Sequence, residues 1–104
     1  RKAEKELIKT GGENVYPGEV EAVLLKHPCI EACCVIGVPD STWGEAVLAV
    51  CRLVKGARLE EETVRDFVGS HIAGFKKPRK VCFTESLPVK DGEVDREAVR
   101  KKFG

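Results

Sequence analysis

Apolar residues fall along this chain in two kinds of run: some recur at helical spacing, others are continuous or nearly so. Glu6 to Thr10, the pair Gly11-Gly12, and Glu13 to Tyr16 read as a small two-stranded ribbon. Pro17 suits the first turn of a helix, where its missing N–H costs nothing. Val20, Val23 and Leu24 then recur at helical spacing, with Glu19 and Glu21 near the positive helix end. Lys26 and His27 close that helix before Pro28. Two apolar runs follow, Ala32 to Val38 and Ala46 to Val54, and the near-continuity of the second predicts a strand buried on both faces. The stretch from Pro39 to Glu45 links them, with Pro39 and Gly44 as breakers. A second helix starts near Glu60 and shows Val64, Phe67, Val68 and Ile72 on one face. Gly74 and Pro78 bracket a basic loop, Val81 to Thr84 reads as a further strand, and Leu87 to Val94 as a loop. Asp95 looks like the N-cap of a last helix that buries Ala98, Val99 and Phe103 and carries Lys101 and Lys102 at its negative end. The fold class is therefore α+β: a small mixed β-sheet covered by about three helices and preceded by a short two-stranded ribbon.

Composition narrows the field. A length of 104 residues sets one domain over 1–104, with a modest core, small for a complete two-substrate enzyme. The net charge of +1 gives no global field of the kind that draws nucleic acid or an anionic membrane. No stretch is long enough to cross a bilayer as a helix, and the first residues lack a signal peptide's apolar core. Methionine is absent, and the chain reads as a domain excised from a longer protein. Cys29, Cys33, Cys34, Cys51 and Cys82 match neither a zinc site nor a C-x-x-C redox pair. Four of them sit among apolar residues as small hydrophobes, which predicts a reducing, cytoplasmic setting. His27 and His71 have no carboxylate or cysteine partner at useful spacing and read as structural.

Several motifs occur together. Gly11-Gly12-Glu13-Asn14-Val15-Tyr16-Pro17 is followed by Gly37-Val38-Pro39-Asp40, Trp43-Gly44-Glu45, and Phe75-Lys76-Lys77-Pro78-Arg79. Leu87-Pro88 then precedes Gly92 and Val94-Asp95-Arg96. In this order they resemble the mobile C-terminal domain of the AMP-forming acyl-CoA synthetases, within the acyl-adenylate-forming enzymes. The likeness spans nearly the whole chain. It implies that a large N-terminal domain, absent from this chain, binds ATP with Mg²⁺ and a carboxylic acid. The small domain then closes over it in two orientations, one for adenylation and one for attack of the CoA thiol on the acyl-adenylate. CoA, the acyl-adenylate and that N-terminal domain are the implied partners.

The same resemblance suggests roles for individual residues. Lys5 aligns with the hinge whose backbone torsions absorb the rotation; the alternative is a solvated lysine on an edge strand. Lys9 matches a lysine brought to the active site for thioester formation, where an ammonium offsets developing charge. Its alternative is protection of an edge strand from pairing. Gly11 and Gly12 resemble a pair lining the tunnel for the pantetheine arm of CoA, or they form a plain hairpin turn. Phe75, Lys76, Lys77 and Arg79, with Lys80, belong to a loop near the nucleotide end of CoA, where cations and a ring suit a phosphorylated nucleotide. A solvated basic face is the alternative there. Trp43 marks either an interface with the missing domain or a core anchor.

One motif departs from the pattern. The family carries a lysine directly after the glycine of the last loop, bridging substrate carboxylate and α-phosphate. Here Glu93 follows Gly92, in a loop one residue shorter. A unit charge pair at about 4 Å is worth roughly 4 kcal/mol at an effective dielectric near 20, so a carboxylate there opposes adenylation. Three readings remain. Lys90 enters as a surrogate, adenylation leans on the N-terminal domain and magnesium, or the protein has kept only thioester chemistry or binding. The rivals to a ligase domain are a non-catalytic module binding CoA or a protein partner, and an adenylation enzyme serving a carrier protein.

Overall fold

A computed structural model gives the fold and describes residues 7–72 and 76–104. In chain order the elements are β1 (Ile8–Thr10), β2 (Glu13–Val15), α1 (Pro17–Leu24), β3 (Ile30–Asp40), β4 (Gly44–Leu53), α2 (Glu61–Gly69), β5 (Lys80–Phe83), β6 (Val89–Lys90), β7 (Glu93–Val94) and α3 (Arg96–Phe103).

β4 organises the sheet. It pairs antiparallel with β3 along its length, from Asp40↔Gly44 to Ile30↔Leu53. Its other edge takes β1 at Thr10↔Gly44 and then β5, parallel, from Leu48↔Lys80 to Cys51↔Phe83. The sheet is therefore mixed, and the β1–β2 ribbon is part of it rather than a separate preface. Ala46 to Cys51 are all buried, because alternate side chains feed two cores. Val47, Ala49 and Cys51 meet Val20, Leu24, Val64 and Val68 from α1 and α2. Ala46, Leu48 and Val50 meet Leu87 and Val99 on the α3 side. The layers are thus α1 and α2, sheet, α3.

Helix starts follow the expected chemistry. Pro17 opens α1, and the Asp95 side chain accepts from Ala98 N–H at 3.2 Å to cap α3. Two local expectations change. The β3–β4 linker is shorter than the span from Pro39 to Glu45, because Asp40 accepts backbone N–H bonds from Thr42 (2.8 Å) and Trp43 (2.9 Å) and closes the turn itself. Pro39 stays in the strand, where an edge position tolerates the missing donor. The segment from Leu87 to Val94 is not a loop but holds the β6–β7 hairpin, with Val89↔Val94 and Lys90↔Glu93 in register. Asp91 and Gly92 both take positive φ (55° and 81°), the backbone that an Asp-Gly pair supplies to a two-residue hairpin.

All five cysteines are free. Burial above all pushes the Cys51 thiol up to about 12, and also raises Cys33. Both behave as apolar filling. His27 and His71 flank the ring of Phe67, and each anchors local backbone: His27 Nδ1 accepts from Cys29 N–H at 3.0 Å.

Candidate functional site

The glycine turn and the basic loop lie more than sixty positions apart in sequence, yet they face one groove. The groove has a volume of about 590 Å³, and Thr10, Gly11, Trp43, Lys77 and Arg79 are among the residues lining it. Two bonds, one to the residue just before β4 and one to its fourth residue, bring its walls together. Gly11 N–H donates to Trp43 C=O at 2.9 Å, and Arg79 N–H donates to Val47 C=O at 2.9 Å.

Trp43 fills the space between them. A Cβ placed on Gly11 would lie 2.5 Å from its Cε3, and the Arg79 guanidinium carbon sits 4.4 Å from the indole centroid. Gly11 is thus required twice over, by its φ of 57° and by close approach of the indole. A Cβ on Gly12 would meet nothing within 4 Å, so Gly12 is the open glycine of the pair. Trp43 is both a partial anchor and, at 40% exposure, an available surface. Asp40 holds the loop that carries it. The hydrogen bonds from Trp43 and then Thr42 keep the Asp40 carboxyl below its ordinary value of 3.8.

Electrostatically the groove is cationic on one wall. Lys77 and Arg79 line it, and Arg65 of α2 joins them while held at 2.8 Å by Glu61. Lys76 is directed elsewhere: its Nζ lies 2.9 Å from both carboxylate oxygens of Glu19, in the first turn of α1. Phe75 and Lys5 lie outside the described residues.

Lys9 is exposed at the middle of β1, between buried Ile8 and Thr10. Its backbone N–H donates to Glu45 Oε1 at 2.8 Å, so Glu45 steadies the strand that presents it. Lys90 stands opposite Glu93 on the separate β6–β7 ribbon. The structure therefore gathers Gly11, Lys77 and Arg79 into one groove and leaves Lys9 and Lys90 on two different sheets. Sequence reading missed Arg65, Glu45 and the ion pairs of Glu19 and Glu21. Trp43-Gly44-Glu45 was the available signal for Glu45; nothing local marked Arg65. Among the described residues, no three His, Cys, Asp or Glu side chains gather into a metal-holding cluster.

Comparison with known proteins adds four findings. The family model for the AMP-binding enzyme C-terminal domain matches residues 19–91. A feruloyl-CoA synthase from Amycolatopsis sp is 43% identical over 101 residues, covering 96% of this chain and 21% of that protein. Among solved structures, the amide bond synthetase McbA from Marinactinospora thermotolerans superposes with a TM-score of 0.90 at 39% identity, covering 94% of this chain and 20% of that one. ATP-bound MatB from Rhodopseudomonas palustris likewise gives 0.90 at 39% identity, covering 96% and 20%. The chain spans about a fifth of the length of the relatives it matches.

Proposed function

Since the chain belongs to the family of AMP-binding enzyme C-terminal domains, we propose that it is the lid domain of an ATP-dependent, AMP-forming carboxylic acid–CoA ligase. The acid would be fatty, alicyclic or aromatic, and the setting cytoplasmic. The observation that carries this reading is the convergence of Gly11, Trp43, Lys77 and Arg79 on one groove. A glycine turn admits a slim amide-bearing arm, and two cations beside an indole suit the phosphates and base of a nucleotide. CoA has both parts.

In this reading ATP with Mg²⁺ binds the N-terminal domain, which also holds the acid. Domain rotation about Lys5 presents two faces in turn. The β1 face offers Lys9 to the acyl-adenylate during thiol attack, where its ammonium offsets developing charge. Gly12, open above its own Cα, lines the arm of CoA, while Lys77 and Arg79 lie towards its nucleotide.

The β6–β7 hairpin serves adenylation. Directly opposed residues of an antiparallel pair put their side chains on one face, with Cβ atoms about 5 Å apart. Lys90 and Glu93 are such a pair. A lysine side chain can span that offset, so Lys90 supplies the cation that position 93 lacks.

Glu93 favours a second reading, in which the domain binds CoA or a protein partner without catalysis, or serves a carrier protein in place of free CoA. Lys9→Ala and Lys90→Ala in the full-length protein separate these. Adenylation is followed by pyrophosphate exchange, and thioester formation with preformed acyl-adenylate and CoA. Selective loss of adenylation in Lys90→Ala and of the thioester step in Lys9→Ala is the expected result. No change in either step would move the binding module ahead.

A further inference from the structure

Val35 sits at the middle of β3, fully buried, with its peptide groups on the edge of the sheet that no strand covers among the described residues. Both groups are closed by one ion pair. Val35 N–H donates to Glu21 Oε2 at 2.8 Å, and Val35 C=O accepts from Arg96 Nη1 at 2.7 Å. Arg96 Nη1 also donates to Glu21 Oε2 at 2.6 Å, and Nη2 reaches Glu21 Oε1 at 3.4 Å. The result is a closed ring joining α1, β3 and the first residue of α3. Arg96 follows β7 by a single residue, the α3 cap Asp95.

The hairpin that ends there is its own two-stranded sheet. Asp95 N–H donates to Pro88 C=O at 2.8 Å across its base, Leu87 is buried, and Val89 to Glu93 are exposed. Its tip is therefore positioned from its root. From Pro88 at the base to Lys90 is about 7 Å of extended chain, so a tilt of about 10° at the root moves Lys90 by about 1 Å. Misplacement of about 1 Å can cost a reaction about a hundredfold.

From this geometry we infer that Glu21 and Arg96 are positioning residues for adenylation: their clamp on the Val35 peptide fixes the root of the β6–β7 hairpin and so aims Lys90. The inference rests on the proposed adenylation role of Lys90. Nη1 alone bridges the carboxylate and the carbonyl, its two N–H groups fixed in the guanidinium plane, while Nη2 reaches the second carboxylate oxygen. An ammonium on a flexible stem reproduces this only in part.

The test uses the full-length protein with Arg96→Lys, which keeps the charge, Arg96→Met, which removes it, and Lys90→Ala. Arg52→Met, breaking the more exposed pair with Glu31 (3.5 Å), is the control for loss of an ion pair as such. Backbone hydrogen exchange over 87–95 should rise in both Arg96 variants while β4 stays protected. Pyrophosphate exchange should lose about thirtyfold in kcat in Arg96→Met, with KM for ATP within about twofold. Thioester formation from preformed acyl-adenylate should change less than about threefold, and Arg96→Lys should fall between. Unchanged exchange at the hairpin overturns the proposal, as does a parallel loss in both half-reactions. Adenylation that fails in Lys90→Ala but survives in Arg96→Met overturns this proposal alone. Adenylation that survives in Lys90→Ala overturns the catalytic reading of the hairpin, and this one with it.

Discussion

Two turns in this molecule have nearly the same backbone and opposite surroundings. Gly11-Gly12 and Asp91-Gly92 each join two short antiparallel strands, with φ values of 57° and 83° in the first and 55° and 81° in the second. The first lies under Trp43, bonded to the main sheet, and forms one wall of the groove. The second stands away from that sheet on a ribbon of its own. The conformation explains why glycine follows in both. Only the packing explains why the leading residue must be glycine in one and can be aspartate in the other. A wall needs close contact; an arm needs a well-held root.

The contrast breaks most clearly at Gly11. Gly11→Ala adds a methyl 2.5 Å from the indole. Left-handed strain of about 1–2 kcal/mol and overpacking of about 1–3 kcal/mol should together cost near 3 kcal/mol of unfolding free energy, read by denaturant titration. Gly92→Ala meets nothing within 4 Å, so only the torsional part, about 1–2 kcal/mol, should appear. Equal losses at the two sites would erase the distinction. A weaker probe is a double-mutant cycle on the indole: Trp43→Leu and Arg79→Ala should couple by about 0.5–1 kcal/mol, the range for exposed cation–π contacts. The smallest effect is one of pH. The Asp40 carboxyl is held below its ordinary 3.8 in the folded protein, so its contribution is present above that value and lost as pH falls through the lowered one. Fluorescence of the single tryptophan should report loosening of the Trp43 loop only below about pH 3.8, while Asp40→Ala should show that loosened signal at neutral pH.

The glycine-turn region was largely legible in the sequence and the hairpin region was not. Alternation, a glycine pair and a following proline are local signals, and β1, β2 and α1 obey them. The continuous run around Val47 to Val50 likewise declared a strand with two buried faces. Val89 to Val94 gave no such pattern, because its strands are two residues long and mostly exposed; only Asp91-Gly92 marked the turn. Charges were the other blind spot. Glu19 and Glu21 look like ordinary helix-surface residues, and Arg96 stood only as part of a motif without a role; the tertiary fold alone brings Lys76 onto Glu19 and Arg96 onto Val35. The basic loop therefore divided in a way no spacing rule foretold: Lys77 and Arg79 face the groove, while Lys76 is tied to a helix.

One bonding detail reaches further than its size suggests. Both walls of the groove hang from the start of β4, one at Trp43–Gly44 and the other at Val47. Three residues of extended chain measure about 10 Å, a length set by covalent bonds rather than by side chains. β4 thus acts as a ruler. Substitutions can redecorate the gap, but resizing it takes an inserted or deleted residue, and one such step would also turn every later side chain of the strand to the opposite core. The width of this groove is therefore tied to the identity of the fold, and diversification of what the domain accepts must proceed through the surfaces that line it.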